Sequence, residues 1–136
     1  MSTILCVDDS DSNLFILRAV LSRVGFEVLT ATNGEEGVES AKAGQPNLIL
    51  MDLQMPDLDG YEATKRIKAT PEIAHIPVIA LSAHEEAEKI ALARAAGCAG
   101  YACKPLNIPA LLQEIRDVLH AKCAPDAVAG AEAPAP

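Results

Sequence analysis

Short apolar runs alternate with segments of helical periodicity along most of the chain. Five runs of four or five residues predict strands at 3–7, 27–31, 48–51, 78–81 and 100–103. Between and after them, the pattern and composition predict helices over 14–24, 34–43, 61–68, 85–96 and 108–119. The run at 48–51 is apolar without interruption, which is typical of a central parallel strand covered on both faces. This strict alternation predicts an α/β fold, a parallel sheet with helices on both faces and right-handed crossovers.

Glycines mark the expected ends of three of these helices. Gly25 stands where a left-handed residue would end the first helix, Gly44 follows the second as a stop, and Gly97 closes the fourth. The segment 53–60 carries Pro56 and Gly60 and is predicted to be a loop.

Composition narrows the class of protein. The chain has 136 residues, which fits one domain, and we place that domain at residues 1–122. Residues 123–136 are mostly Ala and Pro without periodicity, and predict a disordered tail or linker. No apolar run approaches the roughly 18 residues that span a bilayer, and the start lacks the basic region of a secretory signal, so we expect a cytoplasmic protein without membrane insertion. The net charge of -8, without a basic stripe, argues against direct nucleic-acid binding.

Four cysteines are present, none of them in a C-x-x-C pair. A zinc site could be assembled only from Cys98, Cys103, His120 and Cys123. Their spacing lacks the two tight chelating pairs typical of zinc sites. We therefore interpret the cysteines as small buried hydrophobic residues in a reducing compartment.

Polar side chains follow several of the predicted strands. Asp8 and Asp9 come after the first, Asp52 after the third, Ser82 after the fourth and Lys104 after the fifth. In open parallel sheets, ligands bind beyond the carboxyl ends of the strands, so these residues form the candidate site if the first and third strands are neighbours. Three converging carboxylates repel one another, and proteins resolve this by raising a pKa or by binding a cation. Because Mg²⁺ prefers oxygen ligands, and Lys104 suits a phosphoryl oxygen, the set predicts phosphoryl chemistry.

Four motifs in order resemble those of the response regulator receiver family. They are the acidic pair in "VDDS", then "LILMDLQMPDLDGYE", "VIALSA" and "YACKP". The resemblance runs from Ile4 to about Leu119, nearly the whole globular part. It implies the CheY-like, flavodoxin-like three-layer sandwich, a doubly wound five-stranded parallel sheet in the order 2-1-3-4-5 with five helices.

The resemblance also implies a role for each matching acid. Asp52 would be the phosphoacceptor, and Asp9 and Asp52 would ligate Mg²⁺ together with the backbone carbonyl of Gln54. Asp8 would act on the metal mainly through water. Lys104 would contact the phosphoryl group.

A second set of residues concerns the switch and its lifetime. Ser82 would be the switch hydroxyl and Tyr101 the aromatic residue that turns inward with it. Serine stands here in place of the threonine commoner in the family, and it keeps the hydroxyl. Gln54 and His84 lie two places after the acceptor and the switch hydroxyl, and we expect them to flank the attacking water and set the lifetime of the acyl phosphate.

The implied function is a signalling switch that acts only on its own phosphorylation state. The donor would be a phosphohistidine on a sensor histidine kinase or a phosphotransfer protein, docking on the first helix and the loop after Lys104. The target protein would bind the surface of the fourth helix, fifth strand and fifth helix. Only the Ala/Pro tail follows Lys122, so we expect a stand-alone receiver. A receiver fragment of a hybrid histidine kinase is an alternative, to which Asn13 and "AHIPVIALSA" lend slight support.

Two rival functions are an enzyme of the same chemistry class and a cofactor carrier. A phosphohydrolase with an aspartyl-phosphate intermediate would use Asp9 and Asp11 as nucleophile and acid, but the strongest acidic motif follows the third strand instead. A flavodoxin-like cofactor carrier would need aromatic residues and a phosphate-cradling loop, and the chain is only 3% aromatic.

Overall fold

A computed structural model describes residues 2–53, 60–82, 87–103 and 107–123, without the side chains of 87–89, 103 and 121–123. Five strands form the sheet: β1 Thr3–Val7, β2 Glu27–Ala31, β3 Leu48–Asp52, β4 Val78–Ser82 and β5 Gly100–Cys103. All five predicted strands are present. β3 and β4 each extend one residue further than predicted, so Asp52 and Ser82 are the last residues of their strands.

Five helices connect or follow the strands: α1 Asp11–Arg23, α2 Gly34–Gly44, α3 Gly60–Ala69, α4 Ala87–Ala96 and α5 Ile108–Cys123. The fourth was predicted from residue 85, and residues 85 and 86 lie outside the described part. The fifth extends beyond its predicted end at 119 as far as Cys123. Residues 124–136 of the predicted tail are also outside the described ranges. None of the helices within those ranges is long and apolar enough to cross a bilayer.

The strands are all parallel, in the order β2-β1-β3-β4-β5, which confirms the predicted topology. Side chains alternate between the two faces of the sheet, and each face has its own core. One core packs β-strand residues such as Leu5, Ile49 and Val78 against α2, α3 and α4. The other packs Ile4 and Leu50 and their neighbours against α1 and α5. Both faces are thus covered, as the apolar run in β3 predicted.

Two of the three predicted glycine stops are confirmed. Gly25 and Gly97 have φ values of 101° and 111°, in the left-handed region that favours glycine. The interpretation of Gly44 was wrong, because Gly44 is the last residue of α2 and Gln45 takes the left-handed conformation with φ 45°. Gly44 instead permits close packing, since a Cβ there would lie 2.5 Å from Cδ1 of Leu29.

Candidate functional site

The three predicted acids converge at the carboxyl edge of the sheet. β1 and β3 are paired neighbours, with Val7 opposite Met51, and Asp8 and Asp52 stand at the ends of these two strands. One carboxylate oxygen from each of Asp8, Asp9 and Asp52 lies within 4.8 Å of the others. Asp8 and Asp52 are buried, 1% and 2% exposed, while Asp9 is open to solvent. The strand order therefore brings together acids that are 43 or 44 positions apart in the sequence.

Alternation along the strands explains why Asp8 and Asp52 meet. Leu48 and Leu50 on β3, and Cys6 on β1, belong to the core beneath α1 and α5. Asp8 and Asp52 continue these two rows by a further step of two residues, so they lie on the same face of the sheet. The acidic site is therefore the continuation of an apolar core at its carboxyl edge.

Asp8 is held through both its backbone and its side chain. Its N–H donates to the Ala31 carbonyl at 3.1 Å, which continues the pairing of β1 with β2. Its Oδ1 accepts the N–H of Ser10 at 2.9 Å, and its Oδ2 accepts the side-chain amide of Asn13 at 3.2 Å. Ser10 also caps α1, because its hydroxyl accepts the N–H of Asn13 at 3.3 Å. The start of α1 is thereby fastened to the acidic site.

Gly60 lets α3 begin directly against the end of β3. A Cβ on Gly60 would overlap the carbonyl oxygen of Asp52 and would lie 2.6 Å from the Cα of Leu53. No side chain fits this space, so only glycine allows the helix to approach so closely. The Leu53 N–H in turn donates to the Leu81 carbonyl at 2.9 Å, which keeps the chain after Asp52 attached to β4.

The acidic set fits a magnesium ion by donor chemistry and by distance. Mg²⁺ takes oxygen ligands at about 2.0–2.1 Å in an octahedron, so its ligand oxygens are separated by about 3–4 Å. One carboxylate oxygen from each of Asp8, Asp9 and Asp52 lies within 4.8 Å of the others, an upper limit not far above that spacing. Like charges at this separation repel, so a cation between the acids relieves that repulsion.

The two predicted switch residues share the other face of the sheet. Ala80 and Tyr101 are paired across β4 and β5, as are Ser82 and Cys103, so Ser82 and Tyr101 stand two positions apart on the same side. Ser82 is 1% exposed, whereas Tyr101 is half-buried and packs against the core beneath α2, α3 and α4. The two side chains therefore lie on the same face of neighbouring strands.

Three predicted site residues lie outside the described part of the chain. They are Gln54, proposed as a carbonyl ligand, His84, proposed to tune lifetime with Gln54, and Lys104, proposed to contact the phosphoryl group. Their roles stay predictions. Asn13 is the contact that sequence reasoning missed, because its pairing with Asp8 depends on how α1 packs against β1.

Two of the four cysteines can be placed by their side chains. Cys6 and Cys98 are buried and free, which agrees with their interpretation as small hydrophobic residues. Burial, and secondarily the charge of Asp8, raise the pKa of the Cys6 thiol to about 12. Burial also raises the pKa of the Cys98 thiol, although a hydrogen bond to Thr64 opposes this. Within the described residues, the acids at 8, 9 and 52 are the group suited to a metal.

The response regulator receiver domain family matches residues 4–116 of the chain. The chain belongs to this family. It is similar to the polar-differentiation response regulator DivK of Brucella anthropi, at 34% identity over 117 residues, which cover 86% of this chain and 95% of DivK. DivK of Brucella ovis is 33% identical over the same length. The resemblance in the sequence motifs is thus confirmed, and this protein is a receiver of the two-component type.

Solved receiver structures superpose closely on this chain. The chemotaxis protein CheY4 of Vibrio cholerae has a TM-score of 0.83 at 30% identity, covering 87% of this chain and 98% of CheY4. The receiver domain of a sensor histidine kinase from Pseudomonas aeruginosa PAO1 has a TM-score of 0.81 at 31% identity, covering 88% of this chain and 98% of that domain. That structure has a magnesium ion coordinated in its active site cleft.

The phosphohydrolase alternative gains no support from the site. Asp11, its proposed acid, lies in the first turn of α1 and is exposed. The acid that joins Asp8 and Asp9 is Asp52. The geometry therefore centres the candidate chemistry on the end of β3.

Proposed function

We propose that this receiver is a phosphorylation switch in which Asp52 accepts a phosphoryl group from a phosphohistidine. The observation that carries the proposal is the convergence of the Asp8, Asp9 and Asp52 carboxylates within 4.8 Å at the carboxyl edge of the sheet. The site holds a fixed acceptor beside two further acids suited to a divalent cation. Positioning and charge neutralisation provide most of the catalysis in phosphoryl transfer, and a placed acceptor beside a cation site supplies both.

The transfer conserves charge and atoms in a single displacement. A carboxylate oxygen of Asp52 attacks phosphorus, the P–N bond of the phosphohistidine breaks, and the imidazole leaves with its electron pair and takes up a proton. Attack by water later breaks the acyl phosphate, releases inorganic phosphate and restores the carboxylate. The protein therefore acts on its own Asp52 and turns over no separate substrate.

Mg²⁺ would be held by Asp9, Asp52 and the Gln54 carbonyl, with Asp8 reaching it through water. Bound there, it would neutralise charge on the phosphoryl oxygens and on the acids that surround them. Asp8 and Asp52 are buried and fixed by their strands, whereas Asp9 is exposed and can move toward a hydrated ion. Lys104 adds a positive charge for the phosphoryl group.

Ser82 and Tyr101 turn the modification into a change of shape. The Ser82 hydroxyl moves toward the new phosphoryl oxygens, and Tyr101 turns into the space on the shared face of β4 and β5. Partners that prefer this form shift the population toward it, so phosphorylation strengthens their binding. Gln54 and His84 set how long the phosphorylated form lasts.

Partner contacts occupy two different surfaces. Phe15 and Ile16 on α1 are 73% and 51% exposed, an apolar pair at the solvent face of the helix that starts at the acidic site. We assign it to docking of the phosphohistidine donor, a sensor histidine kinase or a phosphotransfer protein. The surface of α4, β5 and α5, where Leu92 is 48% exposed, is assigned to the target protein.

Acetyl phosphate with Mg²⁺, followed by intact mass measurement, tests the proposal directly. We expect one added phosphoryl group on the wild-type protein, lost when EDTA replaces Mg²⁺ and lost in Asp52→Asn. Asp117→Asn, an exposed acid on α5, removes the same charge away from the site and should be phosphorylated normally. An unmodified wild-type protein, or equal labelling of Asp52→Asn, would overturn the assignment of the acceptor.

A small phosphomonoester separates the switch from the phosphohydrolase. We expect para-nitrophenyl phosphate to be consumed no faster by the wild-type protein than by Asp52→Asn. Sustained multiple turnover by the wild-type protein would favour an enzyme instead.

A further inference from the structure

Asp8 is a buried acid that accepts hydrogen bonds from two residues at the start of α1. Its Oδ1 accepts the Ser10 N–H at 2.9 Å, and its Oδ2 accepts Nδ2 of Asn13 at 3.2 Å. A carboxylate rotates about its last bond unless both oxygens are restrained. Here donors to both oxygens restrain the carboxylate plane.

Only one of the two donors depends on the identity of a side chain. The Ser10 contact comes from the backbone and persists with any side chain except proline. The Asn13 contact depends on a neutral amide at one position in the first turn of α1. A lysine there would bring a competing cation, an aspartate would add a fourth like charge, and an aliphatic residue would remove the donor from Oδ2.

Asn13 makes one hydrogen bond through its backbone and one through its side chain. Its backbone N–H donates to the Ser10 hydroxyl at 3.3 Å, the cap of α1, while its side-chain amide donates to Asp8. The first bond caps the helix, and the second reaches the carboxylate directly. Fixed donors of this kind set the orientation of a metal site, and their loss weakens metal binding even though they never touch the ion.

We infer that Asn13 is a positioning residue of the acidic site, which orients the Asp8 carboxylate for binding Mg²⁺. The inference rests on the proposed function, because it concerns the ion that the site would hold. It separates two tasks at the start of α1: Ser10 stabilises the helix through its hydroxyl, and Asn13 shapes the cation site through its amide.

Magnesium titration of the unphosphorylated protein tests this division. The dissociation constant is measured from the amide shifts of Asp9 and Asp52 in ¹⁵N spectra of the wild-type protein, Asn13→Ala, Asn13→Leu and Ser10→Ala. Ala and Leu are good helix formers, so both Asn13 variants should keep α1, and spectral dispersion checks the fold of each. We expect both to raise the dissociation constant on the order of tenfold, the low end for the loss of an outer-sphere partner.

Ser10→Ala is the matched control. It removes the cap but leaves the Asn13 amide and the Ser10 backbone donor, so the melting temperature should fall while the dissociation constant stays within about twofold of wild type. Phosphorylation of both Asn13 variants by acetyl phosphate should recover at saturating Mg²⁺.

The possible outcomes distinguish the positioning role of Asn13 from the proposed function of the acidic site. Wild-type affinity in both Asn13 variants would overturn the positioning role and leave the acceptor site intact. An equal loss of affinity in Ser10→Ala would also overturn it, because the effect would then come from the helix as a whole. Failure of the wild-type protein to bind Mg²⁺ would remove both the positioning role and the proposed metal site.

Discussion

β1 and β3 are as buried at their carboxyl ends as at their centres, but the central side chains are apolar and those at the ends are acidic. Cys6 and Leu50, at the centre of the sheet, are fully buried in an apolar core. Asp8 and Asp52, two residues further along the same rows, are 1% and 2% exposed and carry carboxylates. Burial at the centre stabilises the fold through transfer of apolar surface from water. Burial at the edge places two like charges near each other in a poorly solvated place.

The difference shows which part of the sheet serves stability and which serves chemistry. Charged groups are costly to bury unless they are paired with donors or a cation. Asp8 receives donors from Ser10 and Asn13, and the three acids together suit a divalent ion. Apolar residues at the carboxyl edge would therefore stabilise the fold more than these acids do. The same edge is where the proposed phosphoryl transfer takes place.

Leu50→Ala should give the largest effect, and on stability. A fully buried leucine replaced by alanine leaves a cavity and lowers the free energy of unfolding by about 3 kcal/mol. Urea denaturation followed by circular dichroism measures the change. Because Leu50 lies in the core, the folded variant should still take up a phosphoryl group from acetyl phosphate. A loss below about 1 kcal/mol would show that the centre of the sheet is not a tightly packed core.

Cys6 should link stability to alkaline pH. Its thiol has a pKa raised from 9.0 to about 12 in the folded protein, chiefly by burial. The unfolded thiol ionises first as the pH rises, so the stabilisation is complete below pH 9 and is lost between about pH 9 and 12. At pH 10.5 this effect lowers the free energy of unfolding by about 2 kcal/mol.

Cys6→Ala is the control for that titration, since other groups also ionise at high pH. The wild-type advantage over Cys6→Ala at pH 7 should shrink by about 2 kcal/mol at pH 10.5, under reducing conditions. A constant difference between the two proteins across this range would show that the thiol ionises alike in the folded and unfolded states.

Asp52→Asn should give the smallest effect and the opposite sign. Removing one of three close charges relieves repulsion, so without Mg²⁺ the free energy of unfolding should rise by about 1 kcal/mol. Added Mg²⁺ should stabilise the wild-type protein and narrow this gap, because a ligand that binds only the folded state raises its stability. Thermal denaturation of the wild-type protein and Asp52→Asn, in EDTA and in Mg²⁺, measures the stability difference and its change on adding Mg²⁺. Destabilisation of the EDTA-treated variant would contradict the view that these acids repel.

The sequence predicted the fold and the acidic cluster because each depends on a simple repeated feature. Alternating apolar runs and helical segments defined five strand–helix units, and the position of Asp8, Asp9 and Asp52 after or at the ends of strands predicted their convergence. The sheet order confirms both. Strand ends were less predictable, because Asp52 pairs with Leu81 as part of β3 although a charged residue suggested that the strand had ended.

Contacts between a helix and a strand could not be predicted where they depend on how the helix packs. Gly44 suggested a stop after the second helix, but its lack of a side chain serves packing against Leu29. Gln45 adopts the left-handed conformation, with its N–H bonded to the Ala41 carbonyl. Asn13 was noticed only as a family-like residue. Its hydrogen bond to Asp8 depends on the rotation of α1 about its own axis, which periodicity does not determine to within one side chain.

Anomalous scattering from crystals grown with Mn²⁺, a substitute for Mg²⁺ with similar oxygen ligands, tests the central claim most directly. We predict one strong peak at the carboxyl edge of the sheet, within bonding distance of carboxylate oxygens of Asp9 and Asp52, and no such peak in Asp52→Asn. A wild-type crystal with the ion bound elsewhere, or with these carboxylates turned away from a common centre, would contradict the account.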